Sequence, residues 1–290
     1  MPVIVYPLMR TPCLLLFAAI SASPAGAGER LLASSGVSQI EGAAGGGLTP
    51  WALIAGSGSR DQIGASAFAT SVHTRGGYSL ATAGAAVGFY DRVELSLARW
   101  RFGLSDTVPG QGIGMDIVGL KWRVLGDAVF DADSWRPQLA IGLQHKRNRD
   151  MAVPTLLGAQ RGSDTEPYVA ATKLWLGAAG GYNLLTNLTL RGTRANQMGL
   201  LGFGGDKGDA LRLKAEVSVA LLPSDNLALG LEWRAKPELL SAAPETRAMD
   251  LFLAWWITPN LNLTLAYLDL GQIANKTAQH SSYASLQVQF

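Results

Sequence analysis

Charged side chains at every second position are the residues of this chain whose spacing most directly suggests a chemistry. Arg212, Lys214 and Glu216 alternate with Leu211, Leu213 and Ala215, and Glu232, Arg234 and Lys236 alternate with Leu231, Trp233 and Ala235. Lys121 and Arg123 sit in the same way among Leu120, Trp122 and Val124. Successive side chains of a strand point to opposite faces, so each segment carries one charged and one apolar face. Charges of both signs repeated on several strands can line a wet passage and act on solutes through their field. With Glu94, Asp116, Arg191 and Asp250 the expected lining holds seven basic and five acidic residues. It implies passive passage of small hydrophilic solutes through a mildly basic lumen. The same charges, paired with one another, would instead give a closed structural or surface-interaction barrel. Direct register across the turn near residue 225 would oppose Glu216 to Glu232. A two-residue shift, pairing Glu216 with Arg234, keeps the same face inward and is expected.

Other constellations are thinner. His280 and Ser282 place a base and a nucleophile on one strand face, a pattern a lipid hydrolase could use. No orienting acid accompanies them, although Asn275 is near in sequence, so no enzyme is expected and hydrolysis is a third reading. Lys146, Arg147 and Arg149, in the run His145-Lys146-Arg147-Asn148-Arg149, could contact lipopolysaccharide phosphates through charge-assisted hydrogen bonds. An ordinary charged rim explains them more simply. The three histidines have no metal-ligand spacing and no phosphate-binding loop is present, so no metal or cofactor is expected. The balance of 24 basic and 22 acidic residues excludes the strongly basic field of a nucleic-acid binder.

Strands must position these groups, because 34 glycines disfavour helices. Twelve candidate strands are read at 62–73, 78–90, 92–102, 113–125, 135–146, 168–182, 187–195, 209–221, 226–236, 247–257, 261–270 and 281–290. Their even number and lengths of nine to fifteen residues, several of ten or eleven, suit an all-β, transmembrane, antiparallel up-and-down β-barrel over residues 62–290. Short connections are expected at Asp91-Arg92, 184–186, 223–225 and Pro259, each of the last three followed by an Asn-Leu phrase (Asn187, Asn226, Asn260). Trp100, Trp233, Tyr267 and Tyr168 fit an outer aromatic girdle, and Tyr90, Trp135, Tyr182 and Trp255 an inner one.

Residues 1–27 read as a secretory signal: Arg10, a short apolar run from Cys13 to Ile20, then Ala25-Gly26-Ala27. The sole cysteine would leave with it. Residues 28–61 form a luminal or periplasmic segment. At the other end Ala284, Leu286, Val288 and Phe290 share one face. This ending resembles the closing strand of bacterial outer-membrane barrels, in which Phe290, Val288 and Leu286 would be the signal read by the assembly machinery. The segment Gly-Leu-Thr-Pro-Trp-Ala-Leu-Ile-Ala-Gly at 47–56, the run Asp91-Arg92-Val93-Glu94-Leu95-Ser96-Leu97-Ala98-Arg99 and the closing strand together resemble a proteobacterial outer-membrane family catalogued as a domain of unknown function. The resemblance implies a barrel in the outer membrane, among its lipids and lipopolysaccharide, and brings no activity with it.

Overall fold

Alternation builds a wall with two unlike faces. Along Val93–Gly103, Glu94, Ser96, Ala98, Trp100 and Phe102 are buried, whereas Leu95 and Leu97 stand 49% and 58% exposed. A sheet closed on itself encloses one such face and leaves no open edge. The computed structural model, which describes residues 35–131, 133–273 and 276–290, shows this closure. The strands are β1 (Val37–Ser38), β2 (Ala44–Gly45), β3 (Ile63–Thr74), β4 (Ser79–Phe89), β5 (Val93–Gly103), β6 (Gly112–Leu125), β7 (Gln138–Asn148), β8 (Ser163–Ala179), β9 (Tyr182–Thr193), β10 (Arg212–Ser224), β11 (Leu227–Ala235), β12 (Arg247–Thr258), β13 (Leu261–Asp269) and β14 (His280–Gln289). From β3 to β14 each pairs antiparallel with its sequence neighbours. β14 closes on β3 from Ser281↔Thr74 to Gln289↔Ser66. Phe290 and Ala65 then exchange two backbone hydrogen bonds of 2.8 Å.

One end of the barrel carries the turns 90–92, 180–181, 225–226 and 259–260, with a longer connection at 126–137. The opposite end carries loops at 104–111, 149–162, 194–211, 236–246 and 270–279, one of them holding the short helix α1 (Ala152–Leu156). Among the described residues no helix is long and apolar enough to cross a membrane.

The twelve expected strands are all present, and Glu216 pairs with Arg234 as the two-residue shift requires. One turn differs. The chain reverses at Gly180-Gly181, not at 184–186, because Gly177, Gly180 and Gly181 adopt positive φ (63°, 62° and 93°), which glycine tolerates at little cost. Asn187 therefore opens no strand. It faces inward in mid-strand and accepts a 2.8 Å hydrogen bond from the Thr172 hydroxyl. The signal assignment at 1–27, with Cys13, and the side chain of Asn275 lie outside the described residues.

The outer face is a belt of exposed Leu, Val, Ile and Trp, including Leu120, Trp122, Ile141, Leu188 and Leu251. The barrel's interior holds more chain. Residues 35–58 are all buried within it, with β1 and β2 as their only regular structure.

Candidate functional site in the lumen

A segment with so little secondary structure must satisfy its backbone polar groups elsewhere. The wall's inward side chains do this. Trp100 Nε1 and Thr82 Oγ1 donate to Ile40 O (2.6 and 3.1 Å), Gln138 Nε2 to Ala52 O (2.6 Å) and Thr189 Oγ1 to Pro50 O (2.7 Å). In return Ser38 N donates to Gln287 Oε1 (2.6 Å), Ala52 N to Thr172 Oγ1 (2.8 Å) and Leu48 N to Glu232 Oε2 (2.6 Å). Glu232 also accepts from Thr49 Oγ1 and Ser218 Oγ at 2.6 and 2.7 Å. Gly46 permits this approach, since a Cβ there would stand 2.1 Å from Glu232 Oε1.

Two clusters of charge anchor the segment. Glu94 accepts from Ala44 N (3.1 Å) and Ala55 N (2.9 Å). Its partner Lys121, 3.1 Å away, donates to Ala44 O and Leu53 O (2.9 and 2.7 Å). The second cluster centres on Glu41, the one charged residue between positions 35 and 58. Glu41 pairs with Lys146 (2.5 Å), Arg234 (2.9 Å) and Arg191 (3.5 Å). Glu166 pairs with Lys146 (2.5 Å) and Arg191 (3.2 Å), and Glu216 with Arg191 (2.6 Å) and Arg234 (3.3 Å). Three acids thus face three bases, all buried. Buried charges are tolerated only when paired and hydrogen-bonded in this way.

Of the expected lining, Glu94, Lys121, Arg123, Arg191, Glu216, Glu232, Arg234, Lys236 and Asp250 are buried, all but Lys236 as inward-facing strand residues. Arg123 holds Asp91 (2.7 Å) and Asp127 (3.1 Å) at the short-turn end. Arg212 and Lys214 share the strand parity of Glu216 but lie at the long-loop end, exposed and half-exposed. Asp116 is a correction. It faces outward, paired with Arg99 (2.9 Å) and Arg149 (2.8 Å). With period two and an unbroken register from 112 to 122, Asp116 cannot share a face with Lys121.

Lys146 is the second correction. It points inward to Glu41 and Glu166, while Arg147 and Arg149 stay on the exposed face. Trp100 and Tyr168 leave the expected girdle for the lumen, where Tyr168 lies under the Arg191 guanidinium at 5.3 Å. Sequence reasoning missed Glu41, Gln144, Lys146 and Glu166 as luminal groups. Strict alternation through Gln144, Lys146 and Asn148 was the signal that would have found three inward side chains on β7. Ser282 is exposed, and His280 stacks on Tyr267 (5.7 Å between ring centroids) with Nδ1 unbonded. The two therefore show no nucleophile–base hydrogen bond. No cluster of His, Cys, Asp or Glu suited to a metal occurs among the described residues.

Toward the long-loop end the wall made by β3–β6 and β13 turns apolar, opposite the ion pairs of β7–β11. Tyr78, Leu80, Trp100, Phe102, Ile113 and Leu268 form one buried cluster there. At its margin Glu245 sits buried in loop 236–246. It accepts from Gln197 N (2.7 Å) and lies 3.5 Å from Lys236, with Oε2 lacking a hydrogen bond. Burial pushes its carboxyl up to about 7, against the pull of Lys236.

The chain is similar to several solved barrels. The KdgM porin is 10% identical, with 78% of this chain and 99% of that one aligned at a TM-score of 0.48. The NanC porin is 11% identical over 77% of this chain and 98% of that one (TM-score 0.49). The COG4313 outer membrane channel from Pseudomonas putida F1 is 10% identical over 79% and 95% (TM-score 0.42). No curated protein matches the sequence. The sequence segments that carry the resemblance noted above meet in space, since Ala55 N of the first donates to Glu94 of the second. The family model described as protein of unknown function (DUF3034) matches residues 34–287, and the chain belongs to that family.

Proposed function

We propose that the protein is an outer-membrane channel for the passive passage of small solutes, held closed in this structure by residues 35–58. The observation that carries the reading is the way this segment is held. Hydrogen bonds and ion pairs from inward side chains of the wall retain it, and water can replace each of those partners. The same side chains would then line an open passage. An apolar outer belt, antiparallel closure and loops that are long mainly at one end support a membrane barrel. The test is conductance in planar bilayers, comparing the wild type with a variant lacking residues 36–56. The wild type is expected to open rarely. The deletion variant is expected to conduct steadily, with a mild anion preference that fades as salt shortens the field to about 10 Å at 0.1 M. A folded deletion variant that stays silent favours the closed structural barrel.

Export by residues 1–27 and assembly directed by Phe290, Val288 and Leu286 belong to the same proposal. Phe290 ties the last strand to the first through Ala65, which supports its role in closure. Deleting Phe290 should reduce the heat-modifiable, folded band in outer-membrane fractions. An unchanged band would remove that role.

A further inference from the structure

Above the luminal segment, at the long-loop end, the lumen encloses a cavity of about 320 Å³. Its wall comes from the barrel, notably Val72, Leu80, Trp100, Phe102 and Leu268, and its floor from Ile40 and Leu48 of the luminal segment. Loops roof it through Val108, Val153, Leu157, Leu201 and Ile273. Protein interiors rarely leave voids larger than a water molecule, and the stability lost to a void grows with its volume. An apolar cavity of about 150 Å³ already admits benzene, and small-molecule sites begin near 300 Å³.

From this geometry we propose that the cavity is a binding site for an uncharged, hydrocarbon-like molecule of one or two rings. Tyr78 and Phe102, stacked with centroids 5.4 Å apart, offer aromatic surface for such a ring. The polar groups at the margin are engaged with the protein. Lys236 Nζ donates to Leu270 O (3.1 Å) and lies near Glu245, and the Tyr78 and Thr107 hydroxyls bond to each other (2.6 Å). A charged ligand would give up its hydration against a lining whose one charged side chain, Lys236, is already engaged with Leu270 O and Glu245, so the site selects neutral molecules. Gln197 and Met198, side by side on the rim, both hold positive φ (47° and 59°). Strain of this kind at non-glycine residues clusters at ligand clamps and switches. Gln197 is fixed there by Glu245 and by Gln272 O, 3.0 Å from its Nε2, and the Met198 side chain can adapt to different shapes. Leu156 of α1, 85% exposed, marks the mouth. The inference concerns binding alone and holds whether or not the lumen conducts.

The test is a titration of the folded, full-length barrel in lipid nanodiscs with naphthalene, followed through methyl resonances. Saturable shifts and intermolecular contacts are expected at Ile40, Val72 and Ile273. Outward methyls such as those of Val118 and Leu229 should drift without saturating. Naphthalene-2-sulfonate should bind at least tenfold more weakly. Val108→Trp, in a loop, should fill the cavity and abolish the saturable component; Leu156→Trp, at the exposed mouth, should weaken it. Absence of saturable shifts at the cavity methyls of folded wild type overturns the proposal. So does saturable binding unchanged in both variants, or sulfonate binding as tight as that of naphthalene.

Discussion

Two parts of the lumen are built on opposite principles, and on β5 and β6 a single strand serves both. Running from the short-turn end, β5 turns Glu94 and Ser96 inward and then Trp100 and Phe102. β6, running the other way, turns Ile113, Met115 and Ile117 inward before Lys121 and Arg123. The outer face of β5 reverses the pattern, Leu95 and Leu97 giving way to exposed Arg99 and Arg101. Polarity thus changes sides at mid-strand. The difference teaches that the lumen does two jobs. Its charged half supplies the bonds that an irregular segment needs, and its apolar half encloses a space beneath the loops. A strand's apolar face is therefore not the outward face along its whole length.

The largest expected effect tests the charged half. Arg191, buried, is shared by Glu216, Glu166 and Glu41. Arg191→Ala leaves buried carboxylates uncompensated and should cost about 3–5 kcal/mol in urea unfolding. Arg99→Ala removes a pair whose side chains are 68% and 33% exposed, and should cost under about 1 kcal/mol. Equal losses would erase the distinction between a charge that retains the segment and one that decorates the rim.

A smaller effect probes the margin of the apolar half. Burial pushes the Glu245 carboxyl up to about 7, from the ordinary 4.5 of a free glutamate. Between those values the folded state holds the proton and the unfolded state does not. The contribution is present in full below about pH 4.5 and is lost as pH rises through 7, up to about 3 kcal/mol in all. Stability of loop 236–246, measured by hydrogen exchange, should fall from pH 5 to pH 8 in the wild type and stay flat in Glu245→Gln. A flat wild-type profile from pH 5 to pH 8, matching that of Glu245→Gln, would show that Glu245 is already ionised and held by Lys236.

Much of the wall was legible in the sequence. Period two in segments such as Leu227, Leu229 and Leu231 against Ala228 and Glu232 places strands and faces, because sheet pleating fixes both. The even strand number and the register of Glu216 on Arg234 followed from the same rule. Local apolarity misled where polarity changes sides. Trp100 looked like a girdle residue, yet its indole serves Ile40 O inside the barrel. Lys146 looked like part of a surface run, although its parity with Gln144 and Asn148 assigns it inward. Glu41 was the least legible. A lone acid in a Gly-rich stretch has no periodic pattern, and only the fold brings Lys146, Arg191 and Arg234 from three strands to meet it.

The central claim is that residues 35–58 close the lumen and must move for solutes to pass. Thr49 Oγ1 and Ser218 Oγ lie 2.5 Å apart between segment and wall, close enough for a disulfide once both are cysteine. Conductance of Thr49→Cys/Ser218→Cys in one bilayer, before and after reduction, tests the claim most directly. Oxidised protein should be silent and reduction should restore wild-type openings. Openings as frequent in the oxidised as in the reduced protein would contradict the account.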